Sequence, residues 1–300
     1  MTINQSAVLR ERAGGRQAPS SLLTTRFRLF DLTMRGLSLL AGSLTAFLAV
    51  GLLGYLLVRG LPAIDWTFLS TSPSALNKTY GILPNIINTV YMIVLTLLIS
   101  APLGVGAAIY LNEYARRGPL VQAIEFTTET LAGIPSIIYG LFGYICFGSI
   151  FSYSILTGTF TLSIMVLPTI IRTTQEALRA VPTGYREGAA GLGATKWHLI
   201  RTILLPCCKN GIITACILSV GRIAGESAAL IFTAGIGTSL PRGILRHTLS
   251  SGATLTVQLY QYADRGLNDI CFGIAAILVL LVLALNLSTR LLAGRTRRED

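Results

Sequence analysis

Six long apolar runs dominate the sequence and limit what it can fold into. A helix needs about 20 apolar residues to cross the hydrocarbon core of a bilayer. Each run approaches or exceeds that length, so the sequence predicts an all-α, polytopic integral membrane protein with six transmembrane helices. The predicted spans are residues 37–58, 83–111, 124–148, 150–171, 209–236 and 268–292. Residues 1–36 and 293–300 would then be an N-terminal and a C-terminal tail.

The composition agrees with a membrane protein. Only 12% of the residues are charged, whereas soluble domains carry about 25%. The net charge of +11 would suit a nucleic-acid binder, but the basic residues are scattered between apolar runs and do not gather on one face. Their positions instead fit the flanks of membrane spans, which carry arginine and lysine on the cytoplasmic side.

The basic residues also predict the orientation of the chain. With six spans, 18 of them fall on the side of both termini and five on the other side, and Arg222 falls within a span. Positively charged loops stay in the cytoplasm, so both termini are predicted to be cytoplasmic. No cleavable signal peptide is expected, because the polar N-terminal stretch is long and the first apolar run is long enough to span.

Several site classes find no support in the sequence. The five cysteines form no C-x-x-C pair, and His198 and His247 stand alone. No glycine-rich phosphate loop of the nucleotide-binding type is present. We therefore expect no metal, no cofactor and no catalytic residues in this chain.

Prolines interrupt two of the predicted spans. Pro102 lies in the second, and a Gly-Ile-Pro-Ser break at residues 133–136 lies in the third. Proline removes a backbone hydrogen bond and clashes with the preceding turn, so both helices should kink. In a membrane such breaks persist where neighbouring helices or a cavity satisfy the freed groups, which favours a transport protein over a simple anchor.

The loop at residues 172–206 is too polar to span a membrane. The fourth helix should extend into it and stop at Pro182, and a short helix of small residues should close near Gly191 or Gly193. Thr195 is a candidate N-cap of the next helix, whose apolar face we expect to comprise Trp197, Ile200, Ile203 and Leu204. Such a short helix either inserts into a groove of a partner or forms a local structural loop.

Parts of this loop resemble the E-A-A…G…I-x-L-P loop of permease subunits from bacterial ABC importers. The matching residues are Glu187, Ala189, Ala190, Gly193, Ile203, Leu205 and Pro206. Four further blocks resemble the phosphate-importer permease subunit of the PstA type: GAAIYLNEYA (106–115), LAGIPSIIYGLFGY (131–144), LPTIIRTTQEALRAVP (167–182) and GRIAGESAALIFTAG (221–235). The chain departs from the family pattern at Gly188, Ser227 and Ala229, where the family usually has alanine, threonine and proline.

The resemblance implies a type I ABC importer permease that contributes no ATPase of its own. Its expected partners are a sister permease subunit, a dimer of ATP-binding subunits, an extracytoplasmic phosphate-binding protein, phosphate and membrane lipid. Glu187, Ala189, Ala190, Gly193 and Pro206 would belong to the loop that couples to the ATPase. A permease for sulfate or molybdate is the first alternative, and a secondary transporter or channel is the second.

Two charges inside the fifth span are the candidate transport residues. An arginine costs about 2.5–3.5 kcal/mol to insert at a helix centre, so such residues usually face a protein interior and serve a function. Arg222 and Glu226 lie four residues apart, on one face of a continuous helix, where they can pair. The pair would either join two helices or leave Arg222 to contact phosphate while Glu226 orients it. Arg172 would either provide a second positively charged group along the phosphate path, or it is an ordinary basic residue that flanks a membrane span.

Overall fold

The computed structural model describes residues 21–74, 79–116, 118–240 and 243–295, most of them helical. Two two-residue strands, β1 (Pro73–Ser74) and β2 (Thr79–Tyr80), pair antiparallel. The helices are α1 (Ser21–Gly60), α2 (Trp66–Ser70), α3 (Leu83–Ile109), α4 (Pro119–Ala132), α5 (Ser136–Gly143), α6 (Ser149–Phe151), α7 (Ile155–Arg179), α8 (Thr183–Gly191), α9 (Lys196–Leu199), α10 (Leu205–Gly225), α11 (Ala228–Thr233), α12 (Ile244–Thr248), α13 (Leu255–Asp264) and α14 (Asn268–Arg295).

The structure supports up to six membrane spans within the described residues. Five segments are long and apolar enough to cross a bilayer, and α4 together with α5 and α6 makes a sixth if this bent pair counts as one span. The five are Phe30–Ala63, Leu83–Tyr114, Ile155–Arg179, Lys196–Gly225 and Asn268–Thr289. Helix α1 begins within the predicted N-terminal tail. An apolar run predicts which residues cross the membrane, but it does not predict where the helix itself starts. The rest of that tail, residues 1–20, and residues 296–300 lie outside the described residues.

The predicted break at residues 133–136 is confirmed. Helices α4 and α5 meet there at an angle of 104°, and the Tyr139 hydroxyl donates to the Leu131 carbonyl at 2.8 Å. This bond satisfies the Leu131 carbonyl near the end of α4, where the helical backbone hydrogen bonds stop. Helix α3 continues through Pro102 and does not end there, and the kink expected at this proline stays a prediction.

The chain divides into two compact units at Tyr55. The described part of the first unit is helical, and its side chains are exposed from Phe30 almost throughout. The second unit holds the apolar core, in which α3, α7 and α10 pack together around Met92, Leu162 and Ile223.

Helices α3 and α7 approach closely at Gly104. A Cβ atom at this position would lie 2.6 Å from Ile170 Cγ2, which is closer than real contacts allow. The two helices therefore require glycine here to keep their separation, and the same packing brings Ala108 near Leu178 at the next turns.

In the part of the chain that the structure describes, three π-helical segments interrupt the α-helical pattern, at Tyr110–Tyr114, Tyr144–Gly148 and Ile200–Leu204. A π-turn holds one residue more per turn than an α-helix and is frequent at functional sites. The third segment joins α9 to α10 immediately before Pro206, whose missing N–H already prevents a regular hydrogen bond at this point.

Candidate translocation path and docking loop

The loop at residues 172–206 adopts the predicted local structure. Helix α7 extends to Arg179, and α8 closes at Gly191. Gly193 has a φ of +75°, a conformation that glycine adopts without steric cost. The Thr195 hydroxyl accepts from the His198 N–H at 3.3 Å, which confirms Thr195 as an N-cap.

Helix α8 packs through Ala189, which is buried, and exposes Glu187 and Ala190 on its outer side. The following turn exposes Leu192, with 91% of its surface accessible. This stretch therefore presents both an exposed charge and an exposed apolar side chain.

The predicted inner face of the next helix is only partly correct. Ile200 and Leu204 are fully buried, but 61% of the Trp197 surface is exposed. The π-helical segment begins directly after Leu199 and changes the periodicity, so a spacing of three residues no longer keeps Trp197 on the buried side.

A largely buried ion pair joins α8 to the π-helical segment that follows α3. The Arg186 guanidinium lies 2.9 Å from the Glu113 carboxylate, and only 24% and 10% of these side chains are exposed. Arg186 also donates to the carbonyls of Val181 at 3.0 Å and Leu178 at 2.9 Å. Lys196 donates to the Glu113 carbonyl at 3.2 Å. The segment containing Glu113 is therefore bonded to both sides of the exposed docking loop.

Sequence reasoning missed this pair. Arg186 counted only as one of many cytoplasmic basic residues, and Glu113 only as part of a family-like block. The two residues are 73 positions apart, and no local pattern predicts a contact over that separation. The sequence offered only the position of Glu113, two residues after the predicted span at residues 83–111, and this does not identify its partner.

The predicted pairing of Arg222 with Glu226 is wrong. Helix α10 ends at Gly225, and Glu226 has an extended backbone with φ −79° and ψ 127°. The two residues therefore do not share a helical face. No ion pair joins Arg222 to any carboxylate among the described residues. Within the described residues, the half-buried guanidinium makes one long hydrogen bond, to the Thr169 hydroxyl at 3.5 Å.

Glu226 instead caps helix α11. Its Oε1 atom accepts from the Ala229 N–H at 3.0 Å, and its backbone carbonyl accepts from the Thr256 hydroxyl at 2.7 Å. A side-chain cap of this kind contributes about 1 kcal/mol. The family's usual proline at position 229 has no N–H and could not make this bond, so the departure at Ala229 supports the cap.

The third candidate, Arg172, lies in a polar cavity between α4 and α7. The cavity measures about 230 Å³ and is lined by Arg172, Arg179, Glu125, Glu129 and Glu176, among others. Arg172 pairs with Glu129 at 2.8 Å, and Arg179 pairs with Glu125 at 2.8 Å. The charge of Arg172 is thus already balanced, whereas that of Arg222 is not.

The fold and these features match one family of transport proteins. A family model described as "Binding-protein-dependent transport system inner membrane component" matches residues 100–298. The chain belongs to this family. It is a membrane permease component of ABC importers and not an enzyme, and ATP hydrolysis belongs to a separate subunit.

Two similar proteins illustrate the relationship. The probable ABC transporter permease protein YqgI of Bacillus subtilis is 33% identical over 282 residues, 88% of this chain and 95% of the relative. The phosphate transport system permease protein PstA of Haemophilus influenzae is 36% identical over 263 residues, 86% of this chain and 92% of the relative.

Solved structures show the same fold at low sequence identity. A bacterial alginate ABC transporter, in complex with a pentasaccharide-bound periplasmic protein, covers 88% of this chain and 98% of its own, with 17% identity and a TM-score of 0.60. The MetNI methionine ABC transporter covers 72% of this chain and 94% of its own, with 20% identity and a TM-score of 0.53. These likenesses confirm a type I ABC importer permease fold.

Proposed function

We propose that this chain is the PstA-type permease of an ATP-driven importer of inorganic phosphate, and that it forms the translocation path with a sister permease. The observation that supports an anionic substrate is the position of Arg222 near the end of a membrane helix. Its guanidinium is half-buried and has no carboxylate partner among the described residues. The relative named as a phosphate permease supports phosphate over other anions. The family assignment argues against a self-powered transporter or channel.

Arg222 is suited to bind phosphate transiently. Its guanidinium presents forked donors that match two oxyanion oxygens, and it remains charged at every physiological pH. The Thr169 hydroxyl at 3.5 Å is too distant to compete strongly for these donors. Glu226 would act on the path indirectly, because it lies four residues beyond Arg222 and its carboxylate binds the first turn of α11.

The cavity around Arg172 would lie nearer the exit. Its two guanidiniums face three carboxylates, so the lining does not attract an anion. A cavity of this charge favours release of phosphate over retention. Arg172 then contributes to an ion-paired contact between α4 and α7 and binds phosphate weakly or not at all.

The loop between α7 and α10 would dock on the ATPase. Glu187 and Leu192 supply an exposed charge and an exposed apolar side chain, while Ala189, Ala190, Gly193 and Pro206 shape the loop. We propose that ATP binds only to the partner subunit and that this chain carries no cofactor. An extracytoplasmic phosphate-binding protein would deliver the substrate to the opposite face.

Exchanging residues in this loop should reduce uptake without removing the protein from the membrane. Glu187→Gln deletes the exposed charge, and Gly193→Ala strains a left-handed backbone by about 1–2 kcal/mol. Both variants should bind less ATPase in co-purification and import phosphate more slowly. Gly118→Ala is the matched control, because a Cβ there meets only an ordinary contact at 3.7 Å. Normal co-purification and uptake in both variants would contradict docking.

Both termini should be cytoplasmic, given the asymmetry of basic residues. In a variant without native cysteines, cysteine at Ser20 should react with an impermeant thiol reagent only after permeabilisation. Cysteine at Ser70, an exposed residue of α2, should react in intact cells. Labelling of both positions from the same side would refute this orientation.

Uptake of labelled anions tests the substrate itself. Cells lacking their own high-affinity phosphate importer should accumulate labelled phosphate when the complete four-component system is expressed. Excess unlabelled phosphate should compete with this uptake, and excess sulfate or molybdate should not. No accumulation of labelled phosphate, together with accumulation of labelled sulfate or molybdate by the same cells, would transfer the assignment to another oxyanion.

A further inference from the structure

A non-helical segment threads between the ends of α3 and α7 that lie away from the docking loop. Residues 249–254, the strap, join α12 to α13, and Gly252, Ala253 and Thr254 are buried. A Cβ atom at Gly252 would lie 2.7 Å from Ile155 Cδ1, closer than real contacts allow, so the strap fits tightly against α7. With the orientation proposed above, the strap lies on the extracytoplasmic side.

Buried hydrogen bonds hold the strap to its neighbours. Its Ala253 carbonyl accepts from Asn85 Nδ2 at 3.0 Å and from Asn88 Nδ2 at 3.1 Å, and both asparagines of α3 are fully buried. The Gly252 N–H donates to the Ala234 carbonyl at 3.0 Å. A non-helical backbone inside a helical bundle depends on such bonds, because no regular secondary structure satisfies its polar groups.

His247 anchors the strap where α12 ends. Its ring is 4% exposed, and its Nε2 atom lies 2.8 Å from Asn88 Oδ1. Asn88 donates to Ala253 through its Nδ2 atom, so its Oδ1 atom accepts and His247 Nε2 carries the hydrogen. A single asparagine thus joins the histidine to the strap, and the neutral ring is sufficient for this bond.

The surroundings of His247 disfavour its charged form. Helix α12 lies outside the membrane-spanning segments, and burial lowers the pKa of His247. No carboxylate in the described chain pairs with it. The titratable or charged groups beside it are Tyr91 of α3, whose ring centroid is 5.4 Å away, and Arg246, the preceding residue. Helix α7 also packs on α12, but its charged residues begin at Arg172, near its other end.

Acid should therefore weaken this anchor. A histidine whose pKa is lowered by burial stays neutral in the closed structure, and on opening it regains its ordinary pKa of about 6.5. The stabilisation is complete above that value and declines as the pH falls below it, because the opened form takes up the proton more readily. Each pH unit below about 6.5 favours opening by up to about tenfold, until the closed form is protonated as well.

We propose that the strap is a pH-sensitive latch, closed while His247 is neutral and released when His247 takes up a proton. The strap leads into α13, where the Thr256 hydroxyl donates to the Glu226 carbonyl at 2.7 Å. The latch therefore joins α3 to the turn beside Arg222. It does not depend on which substrate the importer carries, and only the side of the membrane on which it lies rests on the proposed function.

Hydrogen–deuterium exchange tests the latch without any transport. The assembled transporter in lipid nanodiscs is exchanged at about pH 7.5 and at about pH 5.5, and each rate is divided by the intrinsic rate at that pH. Peptides that cover residues 247–256 report the strap through the amides of Gly252 and Ala253, which bond outside it. Their protection should fall by up to about tenfold at the lower pH. Peptides from residues 157–166 of α7 should keep their protection.

The two histidines of the chain make the result specific. His247→Gln does not titrate in this range, and its amide N–H can still donate to Asn88, so its strap should be equally protected at both pH values. His198→Gln is the matched control, because His198 is exposed on α9, and it should keep the wild-type response.

Four results would overturn the proposal. They are an unchanged strap in the wild type, an equal response in His247→Gln, a lost response in His198→Gln, and an equal loss of protection in α7. If His247→Gln fails to assemble, the wild type and His198→Gln still decide, because a response that persists without His198 leaves His247 as the histidine of this chain that titrates.

Discussion

Replacing Arg222 with glutamine is expected to reduce phosphate uptake by roughly tenfold to a hundredfold in an assembled transporter. A hydrogen bond to a charged group contributes about 1.5–3 kcal/mol, and each 1.4 kcal/mol changes a rate by about tenfold. Glutamine retains one amide donor and loses the charge and the fork. Arg222→Lys should recover only part of the uptake, because an ammonium group keeps the charge without the planar geometry.

Arg172→Gln is the matched control. It removes a guanidinium that is already paired with Glu129 at 2.8 Å and that lies largely exposed. Exposed pairs of this kind contribute about 0–1 kcal/mol, so uptake should change little. Uptake is measured with labelled phosphate at equal levels of assembled complex. If Arg222→Gln inserts, assembles and imports phosphate at the normal rate, Arg222 is not part of the path.

Glu226→Gln should have a different effect from Arg222→Gln. The amide oxygen of glutamine can still accept from the Ala229 N–H, so the cap weakens but persists. We expect a modest loss of uptake, well below that of Arg222→Gln. A loss equal to that of Arg222→Gln would show that the Glu226 carboxylate acts on the substrate path directly.

The second large effect is expected at the pair between Arg186 and Glu113. Arg186→Met removes the guanidinium from a largely buried carboxylate and from two carbonyls. Removing one partner of such a pair destabilises a protein by about 3–5 kcal/mol, and here the loss falls on the contact between α8 and the end of α3. We expect uptake to fall severely while the ATPase subunits lose their stimulation by the binding protein.

Comparison with Arg179→Met isolates the effect of burying an arginine–glutamate ion pair. Arg179 also pairs with a glutamate at 2.8 Å, but 61% of its side chain and 41% of the Glu125 side chain are exposed. This pair should contribute about 0–1 kcal/mol. Both variants are assayed for uptake and for ATPase stimulation in the same membranes. Equal behaviour of Arg186→Met and Arg179→Met would mean that the buried pair has no special role in coupling.

Most of the fold could be predicted from the sequence, since membrane spans and local caps are local signals. The Gly193 turn and the Thr195 cap each depend on a few neighbouring residues, and both are present. The Arg222–Glu226 prediction failed because it assumed a continuous helix across Gly225. Glycine weakens a helix by about 1 kcal/mol relative to alanine, and Glu226 offered a cap for a new helix, so the chain turned at this point.

The remaining site features depend on contacts between distant parts of the chain. Glu113 meets Arg186, and Glu129 meets Arg172, only after α3, α4 and α7 have packed. Neither acid carries a pattern that marks its partner. Contact between Arg222 and phosphate stays a prediction.

The π-helical segment at Ile200–Leu204 makes the number of residues between Lys196 and Pro206 a structural constraint. Each residue turns a helix by about 100° and advances it by about 1.5 Å. Deleting a single residue from this segment would remove the π-helical turn, and it would rotate Lys196 away from the Glu113 carbonyl to which it donates. Insertions and deletions should therefore be tolerated far less here than substitutions, and relatives should vary in side chains at these positions while keeping their number.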